Sequence, residues 1–187
     1  MAKSKKVVYK SYHFSSSLEA RWAVFFDALG IPWEYKKEGR DLGETGGYQP
    51  DFWLPQQEIY IDVRPATYND KGEIEFPENA RERALEKKTG IPVVTLCGIP
   101  GKVTHPFPPP FGDYVGFRLN DSCYYWCECP FCGAVGIQFE ARSARNKHEG
   151  GCRIPLTEHP DKVYSYDTES LNDAYIKARL ERFENKY

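Results

Sequence analysis

Apolar residues in the stretch SSSLEARWAVFFDALG recur at Leu18, Trp22, Phe25, Phe26 and Leu29, the spacing of a single helix face. Ser16 stands three residues before Glu19, a capping-box pattern, and Gly30 follows the last apolar position as a terminator. The spacing predicts an amphipathic helix of about three to four turns. IPWEYKK reads as a first strand, and EGRDLGETGG as a polar loop without periodicity. YQPDFWLP and EIYIDVRP read as second and third strands, with Gln56 and Gln57 at the turn between them. ATYNDKGEIEF fits no single period. PENARERALEKKTG predicts a second helix, with Pro77 near its start and Gly90 past its end. IPVVTLCG, with Val93, Val94 and Thr95, predicts a buried strand.

A hairpin followed by strand–helix–strand implies one antiparallel and one parallel pair, hence an α/β fold with a mixed sheet flanked by helices. GIPGKVTHPFPPPFGDYVG breaks the composition with Pro106, Pro108, Pro109 and Pro110. The expected division is a core over 1–100, a Pro-rich linker over 101–120, a cysteine-rich module over 121–155 and a tail over 156–187. The tail ends in LNDAYIKARLERFENKY, a C-terminal helix with an expected stripe of Leu171, Tyr175, Ile176 and Leu180.

Composition narrows the class. The 187 residues are 41% hydrophobic and 28% charged, as in a folded chain rather than a disordered one. Aromatics make up 15%, including 13 Tyr, so core and binding surface alike are expected to be aromatic. A net charge of -2 excludes nucleic-acid binding by the charge of the whole chain, so any basic surface must be local. No apolar run reaches membrane-spanning or signal-peptide length, and a cytoplasmic location is expected. The basic start, with Lys3, Lys5, Lys6 and Lys10, reads as a solvated terminus.

Five of the six cysteines crowd into one region with His148. Cys129 and Cys132 form a CxxC knuckle closed by Gly133. After 15 further residues comes His148 and, after three more, Cys152. Three thiolates and one imidazole at this spacing predict a closed, structural zinc site in a zinc-ribbon or knuckle-like module. Metal would supply the stability that so small a core lacks. Cys127 is the alternative ligand, and Cys123 is also placed to compete. Surface thiols or a disulfide are the other readings. Arg142, Arg145 and Lys147 lie between the ligand pairs and could meet phosphates, or remain solvated. Tyr124, Tyr125, Trp126 and Phe131 could stack on bases or pack the module.

The second and third strands carry the remaining chemistry. On a strand, Asp62 and Arg64 project to one face and Ile61 and Val63 to the other. If the strands pair through the turn, Asp51 lies roughly opposite Asp62. Each residue also has an ordinary explanation: Glu19 as a capping residue, Asp51 as a turn former, Asp62 and Arg64 as a same-face ion pair.

Pro50-Asp51 followed by Asp62-Val63-Arg64 resembles the signature of the PD-(D/E)XK nuclease superfamily. SLEARWAVFFDALGIPWEY before it and PENARERALEKKTGIPVVTLCG after it resemble the flanking elements of phage resolvase-type and very-short-patch-type endonucleases. The resemblance spans residues 16 to 98. It implies a restriction-endonuclease-like core and metal-dependent DNA cleavage. It also implies that Glu19, Asp51 and Asp62 hold magnesium or manganese. Arg64 would stand where the superfamily usually has lysine, positioning water or stabilising the transition state. The triplet is Asp-x-Arg where Glu-x-Lys is usual. A guanidinium stays protonated, so Arg64 can clamp a phosphate but cannot act as a base. A nuclease-fold protein without catalysis, binding nucleic acid or a host protein partner, is the alternative that this departure favours. Resolvase-like proteins are often dimers, so a homodimer is open.

Overall fold

A computed structural model describes residues 7–68, 70, 74–75, 80–101, 124–129, 133–139 and 167–185. The chain opens with a hairpin that the basic N-terminus did not suggest. β1 (Val7–Tyr9) pairs antiparallel with β2 (Tyr12–Phe14). Its interior signal is only Val7 and Phe14, which are buried in the core. Helix α1 spans Ser17–Ala28 and is capped as expected: Ser16 Oγ accepts from the Glu19 N–H at 3.1 Å and donates to Glu19 Oε1 at 2.9 Å. Gly30, at φ +65°, turns the chain out of the helix, and the Ile31 N–H returns to the Phe26 carbonyl.

Next come β3 (Glu34–Tyr35), then a small pair, β4 (Arg40–Asp41) with β5 (Gly47–Tyr48), around a single 3-10 turn at Gly43–Thr45. The Gly-rich stretch therefore has local structure, although it lacks periodicity. β6 (Phe52–Leu54) and β7 (Ile59–Arg64) form the expected hairpin, with Phe52 across from Ile61 and Leu54 across from Ile59. Gln57, expected simply as a turn residue, is buried, because its Nε2 donates to the Val135 carbonyl at 3.1 Å. β8 (Thr67–Tyr68) and β9 (Ile74–Glu75) pair antiparallel within the stretch that fitted no period.

Helix α2 (Ala80–Thr89) leads to β10 (Val93–Cys97), which pairs parallel with β7, Thr95 beside Asp62 and Cys97 beside Arg64. The main sheet runs β10-β7-β6-β3 and is mixed, as the element order implied. Strand alternation gives it two unlike faces. Ile59, Ile61, Val63, Phe52, Leu54, Val94 and Leu96 join the large core under α1. On the opposite face, Tyr60 and Val93 pack with Leu85 of α2.

β11 (Tyr124–Glu128) and β12 (Val135–Phe139) form a second antiparallel pair, and α3 spans Glu169–Leu180 before β13 (Glu184–Asn185) returns to β1. The expected partition into core, module and tail does not divide the apolar interior. Trp126, Val135 and Ile137 share one cluster with Phe25 and Phe26 of α1 and with Leu171, Ala174, Tyr175 and Ala178 of α3. Tyr175 stacks on Phe25 at 4.9 Å, and Trp126 meets Phe25 edge-on at 5.5 Å. The α3 stripe also differs from expectation. Ile176 and Leu180 are exposed, and the small Ala174 and Ala178 take the buried positions, letting α3 approach α1 closely. Arg21 of α1 donates to the Ala178 and Arg179 carbonyls, both at 2.6 Å, satisfying the C-terminal end of α3. At the other end, Thr168 caps the helix and donates to Glu128 of β11 at 2.7 Å. Among the described residues, no helix is long and apolar enough to cross a membrane.

Candidate active site

The β6–β7 ladder positions the two motif aspartates. Continued one step beyond Phe52 and Ile61, its register sets Asp51 opposite Asp62. Asp51 Oδ2 accepts the Val63 N–H at 2.8 Å, which fixes the carboxylate against the neighbouring strand. Both residues lie where β7 and β10 end in parallel, the end of an α/β sheet at which ligands collect.

Asp51 is an anion in an unfavourable place. Burial raises its proton affinity most, the charge of Asp62 adds to that, and Glu19 adds further; the Val63 N–H and Lys36 oppose them. The outcome is a carboxyl pushed up to about 7. Lys36 has its Nζ 4.0 Å from Asp51 Oδ1.

Asp62 is held differently. Its Oδ2 accepts Arg64 Nε at 2.9 Å and Arg64 Nη2 at 2.8 Å. The same Nη2 donates to Glu82 Oε1 from α2, and Glu82 Oε2 accepts Thr95 Oγ1 at 3.2 Å. Burial works against the Arg64 charge, but its bond to Asp62 and the charges of Glu82 and Asp62 outweigh that and raise its proton affinity. Arg64 is thus shared between two carboxylates. The Tyr48 hydroxyl is buried beside this network and, among the described residues, lacks a hydrogen bond of good geometry. Burial and then the charges of Asp62 and Glu82 hold its proton on. Cys97 lies on the same face, its thiol pushed up to about 12 by burial.

Glu19 is close enough for its charge to reach Asp51, but its own oxygens are engaged. Oε2 accepts the Ser15 N–H at 3.2 Å and the Tyr35 hydroxyl at 2.5 Å, while Oε1 accepts Ser16 Oγ. Among the described residues, no group of three or more His, Cys, Asp or Glu is arranged to hold a metal ion. Of the expected set, Asp51 and Asp62 face each other across the ladder, and Glu19 stands behind them with Oε2 accepting two hydrogen bonds and Oε1 one.

Comparison with protein-family models, with curated proteins and with solved structures returns no match.

The pair nevertheless has the chemistry of a hard-cation site. Asp51 Oδ1 and Asp62 Oδ1 are carboxylate oxygens outside the hydrogen bonds described above. Magnesium needs only one or two carboxylates beside water and phosphate oxygens. A cation there would offset the burial and the repulsion from Asp62 that together raise Asp51.

Three contributors escaped the sequence reading. Glu82 had a signal: with Leu85 and Glu86 it lies on one face of α2, so burying Leu85 brings both glutamates in. Glu86 accordingly accepts the Val93 N–H at 2.8 Å. Tyr48 and Lys36 had none, since each lies in a segment without periodicity, Tyr48 on the two-residue β5 and Lys36 at a positive φ after β3.

Of the expected zinc ligands, Cys132, His148 and Cys152 lie outside the described residues, as do Cys123, Phe131, Arg142, Arg145 and Lys147. Cys129 is buried at the end of β11. Its N–H donates to the Ala134 carbonyl, and its carbonyl accepts the Gly133 N–H at 3.0 Å, with Gly133 at φ +69°. That is the tight return that a CxxCG knuckle requires. Cys127, the alternative ligand, is buried within β11, and burial pushes its thiol up to about 12.

Proposed function

We propose that this chain is a metal-dependent DNA endonuclease of PD-(D/E)XK type, hydrolysing phosphodiester bonds at the Asp51–Asp62 edge. The observation that carries the reading is the ladder register that sets these carboxylates across from each other, with Asp51 largely covered and its proton affinity raised. Bound magnesium or manganese would neutralise charge on the phosphate and acidify the attacking water. Asp51 and Asp62 are the residues that would hold it. Asp51 must be ionised to do so, so protons compete with the metal for it and activity should rise with pH. Glu19 braces Tyr35, whose ring packs on Phe52 at 5.4 Å and so steadies the strand that carries Asp51. Arg64 and Glu82 orient Asp62 from the α2 side. In the hydrolysis, a water oxygen bonds to phosphorus, the bond from phosphorus to the leaving oxygen breaks, and that oxygen gains a proton.

Cys129, Cys132, His148 and Cys152 complete this proposal as a structural zinc site. The Cys129–Gly133 turn supports it. Arg142, Arg145 and Lys147 would contact backbone phosphates.

One observation favours a second reading, a nuclease-fold binding factor without catalysis: Arg64 engages the same Asp62 oxygen twice and is shared with Glu82. Incubation of the pure protein with duplex, branched and single-stranded DNA and Mg²⁺ or Mn²⁺ separates the two. Cleavage that Asp51→Asn abolishes supports the enzyme. Salt-sensitive DNA binding without cleavage supports the factor.

A further inference from the structure

Resting on that proposed endonuclease, we propose that Lys36, and not Arg64, is the cation that contacts the scissile phosphate. Arg64 is committed by Asp62 and Glu82, its Nε and Nη2 bonded to Asp62 and Nη2 also to Glu82, which holds the guanidinium toward α2 and leaves Nη1 alone outside these bonds. Lys36 stands on the other side of Asp51. Its Nζ donates to Ser15 Oγ at 2.7 Å and lies 4.0 Å from Asp51 Oδ1, beyond hydrogen-bond distance. An ammonium carries three donors, so two remain for a ligand among the described residues. The side chain is one-third exposed, so a phosphate can reach it, while Asp51 beside it is largely covered.

The backbone at Lys36 shows that this placement is enforced. Its φ is +45°, a left-handed conformation that is costly for a residue with a Cβ. Three contacts hold it there. The Lys36 N–H donates to the Asp51 carbonyl at 2.8 Å, and the Lys36 carbonyl accepts Gln49 Nε2 at 2.9 Å. The ammonium also lies 5.3 Å from the centre of the Tyr35 ring. Lys36 and Asp51 are therefore tied backbone to backbone, which fixes the ammonium relative to the carboxylate. Strain that the surroundings over-determine is typical of functional positions. Exposed Lys10 also has a positive φ, +52°, so what sets Lys36 apart is its backbone tie to Asp51, which Lys37, paired with Glu34 at 3.1 Å on the exposed edge, lacks. The arrangement gives a carboxylate pair for the metal on one side of the phosphate and a fixed ammonium on the other.

The test uses the full chain in four forms: wild type, Lys36→Met, Lys36→Gly and Lys37→Met. Metal-dependent cleavage is measured together with thermal melting and the salt dependence of binding to a labelled duplex in Ca²⁺. Lys36→Met should lower kcat by about 100-fold or more, the size typical of losing one electrostatic stabiliser. It should also reduce the salt slope of binding by about one phosphate contact. Lys36→Gly should lose activity equally while its melting temperature holds or rises, since glycine suits a positive φ. Lys37→Met should leave kcat unchanged. A fall of less than about tenfold in Lys36→Met, set against the loss expected for a transition-state contact, overturns the proposal for Lys36 alone. Collapse of the melting temperature in both Lys36 variants assigns a structural role and also overturns it. A wild-type protein that cleaves no DNA with any divalent cation overturns the endonuclease reading and this proposal with it.

Discussion

Arg64 donates two hydrogen bonds, at 2.9 and 2.8 Å, to a single carboxylate oxygen of Asp62, its same-face neighbour on β7. The guanidinium also bonds Glu82 of α2, so one cation ties the sheet to the helix covering it. Arg64→Met leaves two buried carboxylates without their shared partner. Removing one member of a fully buried pair costs about 3–5 kcal/mol. A quarter of the Arg64 side chain is exposed, so screening reduces the expected loss to about 2–3 kcal/mol. Urea denaturation at neutral pH measures it, and adding Glu82→Gln should restore part of the loss.

Asp51 gives the fold a pH dependence of known sign. Its carboxyl is raised to about 7 in the folded chain, above the ordinary aspartate range near 4. Between those values the folded state binds more protons than the unfolded state, so stability falls as pH rises from about 4 to about 7. Above about 7 the group is ionised in both states and its contribution is level. Asp51→Asn removes the buried charge and keeps an oxygen for the Val63 N–H. It should equal wild type near pH 4 and be more stable at pH 8. Equilibrium unfolding of both proteins across that range checks the crossover.

Trp126 is almost wholly buried and packs on Phe25 and Phe26 of α1. Trp126→Ala should destabilise the whole chain by about 3–5 kcal/mol, the usual cost of truncating a buried large aromatic. One cooperative transition, shifted as a unit, is expected in near-ultraviolet dichroism. Separate melting of a β11–β12 unit would contradict a shared core.

The proposed zinc site predicts about one tightly held zinc per chain by elemental analysis, as four ligands make one closed tetrahedral centre. Cys132→Ser or His148→Ala should lose the metal, and Cys127→Ser should retain it. Loss of zinc from Cys127→Ser would transfer the ligand role to that residue.

The periodic signals in the sequence marked α1, the β6–β7 hairpin, α2 and β10, because each buries one face and must space its apolar residues accordingly. The Asp51–Asp62 opposition was legible for the same reason: a strand alternates with period two, and a short turn limits the register. What was hidden depends on contacts between distant segments. Gln57 looks like a turn residue until Val135 is beside it. Glu19 looks like a capping residue alone until Tyr35, sixteen residues away, donates to its other oxygen. Lys36 reaches Asp51 through one left-handed residue that no periodicity announces. Trp126 and α3 looked like parts of an appendage, because a proline-rich stretch separates them in sequence from the helix they pack against.

The central claim is that Asp51 and Asp62 together hold a divalent cation for cleavage. The most direct measurement is cleavage of a labelled DNA set by wild type, Asp51→Asn and Asp62→Asn with Mn²⁺ at pH 8. Strand breaks made by wild type, absent without Mn²⁺ and reduced at least about 100-fold in both variants are predicted. Equal cleavage by all three proteins, or none by wild type, would contradict it.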